Sequence, residues 1–179
     1  MRGTIAMTSR VDESPEPRFP ELIHVEIAPT LGEVVDPRFV QSVAGQVLNQ
    51  EGPFDAVELT VHITDDKEIQ SLNRTFRGVD HATDVLSFAF QDLESQQDDF
   101  TLPDDISNQL GDVVISYPAA VGQAKEYGHD LSRELAWLIV HGLLQLLGYR
   151  HETQAESNLM RAREESILGA LGLTRPASD

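Results

Sequence analysis

The chain has 179 residues, 40% of them hydrophobic, enough for one domain with a sizeable core, and no run approaches the roughly 18 apolar residues of a membrane span. With no cysteine, disulfides and thiolate metal sites are excluded, so any metal must be held by histidine, carboxylate or amide oxygen, and the composition suits a reducing cytoplasm. The formal net charge of −17 argues against a broad nucleic-acid surface, because phosphate binding is dominated by Lys and Arg. The acids are uneven, however: QDLESQQDDFTLPDD (91–105) holds acids and no base, and Arg74, Arg77, Arg133 and Arg150 lie outside it, which leaves room for a local basic patch.

The opening MRGTIAMTSR lacks an apolar h-region and a cleavage site, so no secretory signal is expected. Residues 1–20, ending in VDESPEPRFP, are rich in Pro, Glu and Ser without periodicity and read as a disordered leader. ELIHVEIA (21–28) alternates and predicts a strand. DPRFVQSVAGQVLNQEG predicts a helix, with Asp36 as cap, Pro37 at its first position and Gly52 at its end. AVELTVHIT (56–64) predicts a second strand. In DDKEIQSLNRTFRG, Asp65 with Glu68 resembles a capping box, Ile69, Leu72 and Phe76 share a face, and Gly78 ends the helix.

DVLSFAF (84–90) predicts a strand, 91–105 a long acidic loop, and GDVVISY (111–117) a further strand. Pro118 opens a short helix that Gly128 closes. LSRELAWLIVHGLLQLLG (131–148) is apolar nearly all round, as a helix buried on most sides would be, and TQAESNLMRAREESILGALG (153–172) predicts a final amphipathic helix. The order βαβαββααα, without internal repeat, predicts a single α+β domain over 21–174 with a small mixed sheet packed on helices and a fraying tail at 175–179.

The stretch HGLLQLLGYRH (141–151) carries the main chemical signal. Residues four apart share a helix face, so His141 and Gln145 point the same way, and Gly148 lets the chain turn so that His151 can fold back toward them. This is the spacing of metzincin zinc sites. Gly142 stands where those proteases carry their glutamate base, which disfavours peptide hydrolysis. Gln145 stands where a middle histidine would be, and an amide oxygen is a poor zinc ligand, so a site of His141, Gln145 and His151 should hold one zinc ion weakly. The alternative is a buried helix whose two histidines are satisfied by hydrogen bonds.

Three blocks, in order, resemble the YbeY family of bacterial rRNA maturation factors. SRELAWLIVHGLLQLLGYRH resembles the family's R-E-L-A-x-L-x-V-H-G-x-L-H-L-x-G-Y-D-H helix. LNRTFRGVDHATDVLSF (72–88) resembles L-N-x-x-Y-R-x-x-x-x-x-T-D-V-L-S-F, and LGDVVIS (110–116) resembles L-G-D-I-x-I-S. The resemblance implies a single-strand-specific, metal-dependent endoribonuclease of the cytoplasm. It would act in 3′-end maturation of 16S rRNA and in ribosome quality control, with single-stranded rRNA and the small ribosomal subunit as partners. Neither a membrane nor a small-molecule cofactor is implied. Carried over by position, the metal ligands are His141, Gln145 (for the usual His) and His151, and the functional arginine is Arg77. Arg150 replaces the usual Asp before the last histidine. The runner-up is a ribosome-associated assembly factor that kept the fold but lost metal and catalysis.

Other residues carry paired readings. Arg77 can grip phosphate through two parallel hydrogen bonds, or simply sit at a helix end where a cation suits the dipole. Arg133, in a first helical turn, is unfavourable for the dipole, which hints at another role. Thr83 and Asp84 are either cleft rim or turn chemistry. Asp112 could support a ligand histidine, but a strand-start role is preferred. His24, His62, His81 and His129 lack ligand spacing and are read as structural or surface residues, and Trp137 as core.

Overall fold

Four strands of alternating polarity form one sheet in the computed structural model: β1 (Ile23–Ile27), β2 (Glu58–Thr64), β3 (Val85–Ala89) and β4 (Gln109–Ser116). The order across the sheet is β1-β2-β4-β3, with β1, β2 and β4 parallel and β3 antiparallel to β4 on the edge. The structure describes residues 22–54, 57–90, 92 and 108–175. The leader at 1–20 and, apart from Asp92, the acidic loop at 91–105 lie outside them. Among the described residues five α-helices accompany the sheet: α1 (Pro37–Glu51), α2 (Asp66–Arg77), α3 (Tyr117–Tyr127), α4 (Leu131–Leu146) and α5 (Gln154–Ala170). The expected mixed α+β architecture and chain order are both present. No helix among the described residues is long and apolar enough to cross a membrane.

Local chemistry explains the helix starts. Pro37 occupies the first turn of α1, and the Asp36 carboxylate accepts from the Arg38 N–H at 2.9 Å. Asp65 caps α2 by accepting from the Glu68 N–H at 3.0 Å. The capping box expected there is only half made. The Glu68 carboxylate instead accepts from the Thr64 hydroxyl and lies 3.2 Å from His62 Nε2. The reciprocal box stands at α5, where Thr153 accepts from the Glu156 N–H at 3.2 Å and Glu156 accepts from the Thr153 N–H at 3.0 Å.

One sheet face carries the main core. Ile23, Leu59, Val61, Ile63, Val113 and Ile115 pack against α1 and α4. Leu138, Ile139, Leu143 and Leu144 of α4 are buried, in keeping with its apolar circumference, and α5 adds Met160, Ile167 and Leu168. On the other face α2 covers the smaller cluster of Ile69, Leu86 and Val114, with Leu72 beside it. Phe76, expected on the same inward face, is 66% exposed, because the apolar stripe of α2 runs past this small cluster. Its ring meets that of Phe88 in a T-shaped arrangement, with centroids 5.3 Å apart.

Candidate metal centre and cleft

The site is built where α4 crosses the β3–β4 edge of the sheet. The two approach so closely that a Cβ on Gly142 would lie 2.5 Å from Val113 Cγ1 and 3.2 Å from Val85 Cγ2. Position 142 therefore faces the sheet, and a glutamate base does not fit there. One residue earlier, His141 is half-buried; one turn later, so is Gln145. The helix ends at Leu146, two residues before the expected end, and Leu147 caps it. Gly148 adopts φ +95°, a conformation that L side chains rarely reach, and the chain reverses. His151 then returns to α4, its ring centroid 5.8 Å from that of His141. The fold-back expected from the spacing is present.

Two partners that sequence reasoning did not assign hold this arrangement. The Glu164 carboxylate, buried on α5, accepts from His141 Nδ1 at 2.7 Å and from Trp137 Nε1 at 3.1 Å. Trp137 also stacks on His141, with centroids 4.9 Å apart and planes at 28°. A signal for Glu164 existed: Met160, Glu164 and Leu168 share one stripe, i, i+4, i+8, and a carboxylate on an apolar stripe needs a buried donor. Ser87 of β3 is the second partner. Its hydroxyl lies 3.0 Å from both Gln145 Oε1 and the Gly142 carbonyl oxygen. A hydroxyl has one hydrogen to donate, so the two acceptors share it.

Arg77 closes α2 and reaches over the edge strand, where its Nη2 donates to the Ser87 carbonyl at 3.0 Å. It lines a cleft of about 300 Å³ together with Ser87, Gln145, Arg150 and His151. The Arg150 guanidinium donates to the carbonyls of Gln145 (3.3 Å) and Tyr149 (3.2 Å), so it caps the end of α4, where a cation suits the dipole. Between them, the Tyr149 hydroxyl donates to Glu51 Oε2 at 2.6 Å and anchors the turn to the end of α1. Burial, reinforced by that carboxylate, pushes the Tyr149 phenol above its usual range.

The remaining residues lie elsewhere. Asp112 is exposed and borders a separate groove with His24 and Thr60. Asp84 serves turn chemistry: it accepts from the Val85 N–H at 2.8 Å and from Gln123 Nε2 at 2.9 Å. Arg133 is buried, 3.4 Å from His129 Nδ1 and 3.7 Å from Glu165 Oε1, and so links α4 to α5. His129 pairs with Glu134, and His62 lies between Glu26 and Glu68. Trp137 packs against the core, as expected, besides touching His141. Among the described residues no three His, Cys, Asp or Glu side chains cluster as a metal site, since the third member here is an amide.

The fold and site define a small α+β domain with a mixed sheet, whose central helix, glycine turn and returning histidine flank an arginine-lined cleft. The family model for endoribonuclease YbeY matches residues 32–172. The chain belongs to the YbeY family. It is 48% identical over 155 residues to the endoribonuclease YbeY of Roseiflexus castenholzii, covering 86% of this chain and 95% of that one. It is 49% identical over 142 residues to the Chloroflexus aggregans protein of that name, covering 79% and 91%. For the Moorella thermoacetica protein the identity is 50% over 125 residues, covering 70% and 80%. The solution structure of TM1509 from Thermotoga maritima shares the fold, with a TM-score of 0.51, 22% identity and coverage of 84% of this chain and 91% of that one.

Proposed function

We propose that this chain is a cytoplasmic, single-strand-specific endoribonuclease of rRNA, acting in 16S 3′-end maturation and ribosome quality control at the small ribosomal subunit. Family membership supports the activity. The observation that carries the chemistry is the convergence of His141 and His151, 5.8 Å between ring centroids, beside the cleft that Arg77 lines.

The donor set fits a zinc ion held mainly by two imidazoles. The Nδ1 of His141 is engaged with Glu164, which leaves Nε2 available, and His151 is exposed at the cleft. Gln145 would be the third, weaker donor, because its amide oxygen is neutral and already accepts from Ser87. When bound, zinc would supply Lewis acidity toward a phosphoryl oxygen or an attacking water. The chain's own contribution is positioning and charge. Arg77, braced on the Ser87 carbonyl, would bind the scissile phosphate and stabilise the charge that develops on it. The exclusion of a glutamate at position 142 directs the site away from peptide hydrolysis.

The test combines metal content with cleavage. Protein purified without added metal is analysed for zinc, then given a single-stranded and a duplex oligoribonucleotide with and without chelator. Cleavage of the single strand alone, lost on chelation and lost in Arg77→Ala, is expected. Metal-free protein that binds RNA without cutting it would overturn this reading in favour of an assembly factor.

A further inference from the structure

We propose that Glu164 is the positioning residue of the metal centre, a buried carboxylate on α5 that sets which ring nitrogen of His141 is left to bind a metal. The inference rests on the metal reading above and adds a residue to it. Four observations converge. The carboxylate is buried, at 6% exposure, on a stripe that is otherwise apolar. Its two oxygens are divided between two donors on α4: Oε1 takes His141 Nδ1 at 2.7 Å and Oε2 takes Trp137 Nε1 at 3.1 Å. Those donors lie one helical turn apart and stack, so a single carboxylate fixes both rings. The His141 ring is held at Nδ1, which leaves Nε2 unengaged by Glu164, and the His151 ring lies 5.8 Å away between centroids.

The chemistry follows from the donor inventory. A carboxylate is acceptor-only, so the hydrogen between it and His141 must sit on Nδ1. The Nε2 lone pair is then unprotonated in the neutral ring, as a metal ligand requires. A carboxylate behind a ligand histidine also makes the imidazole a better electron-pair donor. That matters more here than in a site with three histidines, because the middle donor is the Gln145 amide. Glutamine at 164 would offer one acceptor oxygen for two donors, so one of Trp137 and His141 would lose its partner.

Two measurements test this on the full chain. In metal-free protein, the ring nitrogens of His141 are assigned by NMR. The Nδ1–H tautomer is expected in wild type, and a mixture in Glu164→Gln. A wild-type ring in the Nε2–H form, or a ring unchanged by the substitution, overturns the proposal. Second, zinc is titrated while the fluorescence of Trp137, the chain's single tryptophan, is followed. A 10–100-fold loss of affinity in Glu164→Gln is expected, the scale on which supporting partners of ligand histidines act, and an affinity within about twofold of wild type overturns it. Trp137→Phe keeps the His141–Glu164 bond and is expected to keep the tautomer, with zinc read by chelator competition. Its loss there would make the contact a packing effect of the α4–α5 interface. If wild type takes up no zinc, the metal reading fails, while the tautomer still decides the role of Glu164.

Discussion

At Gln145 the amide oxygen sits 3.0 Å from the Ser87 hydroxyl, so a cation at that position competes with a hydrogen bond as well as facing a neutral ligand. Replacing Gln145 by His should therefore raise zinc affinity by at least about tenfold, the lower end of what even a supporting partner of a ligand contributes. Chelator competition measures this directly. No gain would mean that an imidazole at 145 cannot reach the face shared by His141 and His151. The neighbouring Arg150 differs in kind. Its Nη1 donates to the carbonyls that end α4, so it acts as a helix cap at the rim of the site while the rest of the guanidinium can still meet a phosphate.

Among the elements, α4 sets the distance between the site and the sheet. Gly142→Ala gains about 1 kcal/mol of helix propensity but forces a Cβ against Val113 and Val85. Overpacking a rigid core costs typically 1–3 kcal/mol, and a 2.5 Å approach to a buried valine belongs at the upper end. The variant should unfold at a lower urea midpoint than wild type; an unchanged or higher midpoint would show that α4 can slide.

The N-terminal turn of α2 makes a pH prediction. The Glu68 N–H holds the Asp65 carboxyl below its ordinary value of 3.8, and the Thr64 hydroxyl, followed by His62, holds Glu68 below 4.5. Both are lowered in the folded state, so their stabilisation is complete above the ordinary values and is lost as pH falls through the folded ones. The urea midpoint of wild type should exceed that of Glu68→Gln near neutral pH, and the gap should close as pH falls below 4.5. A gap that stays constant into that range would remove Glu68 from the acid response.

On the scale of the whole molecule, RNA must approach a chain of net charge −17, and Arg77 and Arg150 are the arginines that line the cleft. Binding should therefore depend only modestly on salt. Two phosphate contacts on a single strand give a slope of log K against log salt of about −1.4, and Arg77→Ala should flatten it by about 0.7. Fluorescence anisotropy with a labelled oligoribonucleotide at several salt concentrations reads both. A slope unaffected by Arg77→Ala would place the phosphate contact elsewhere. The turn that delivers His151 is also tied into the whole, because Tyr149 bonds to Glu51 of α1 and Arg163 of α5 lies 3.7 Å from the same carboxylate.

The amino-acid sequence by itself determined what depends on short range. Helix pitch put His141 and Gln145 on one face, Gly148 delivered His151, and alternation and caps located the strands and helices in their order. The family resemblance was legible because its motifs are local blocks. The half-made box at Asp65 and the exposed Phe76 were not legible, since each depends on what lies across the sheet. Only the tertiary structure decided which groups meet the site. Glu164 reaches His141 from 23 residues away and Ser87 reaches Gln145 from 58. Periodicity shows that a residue faces inward, but not which donor it meets there. That pairing is set by how α4 packs between α5 and the β3 edge.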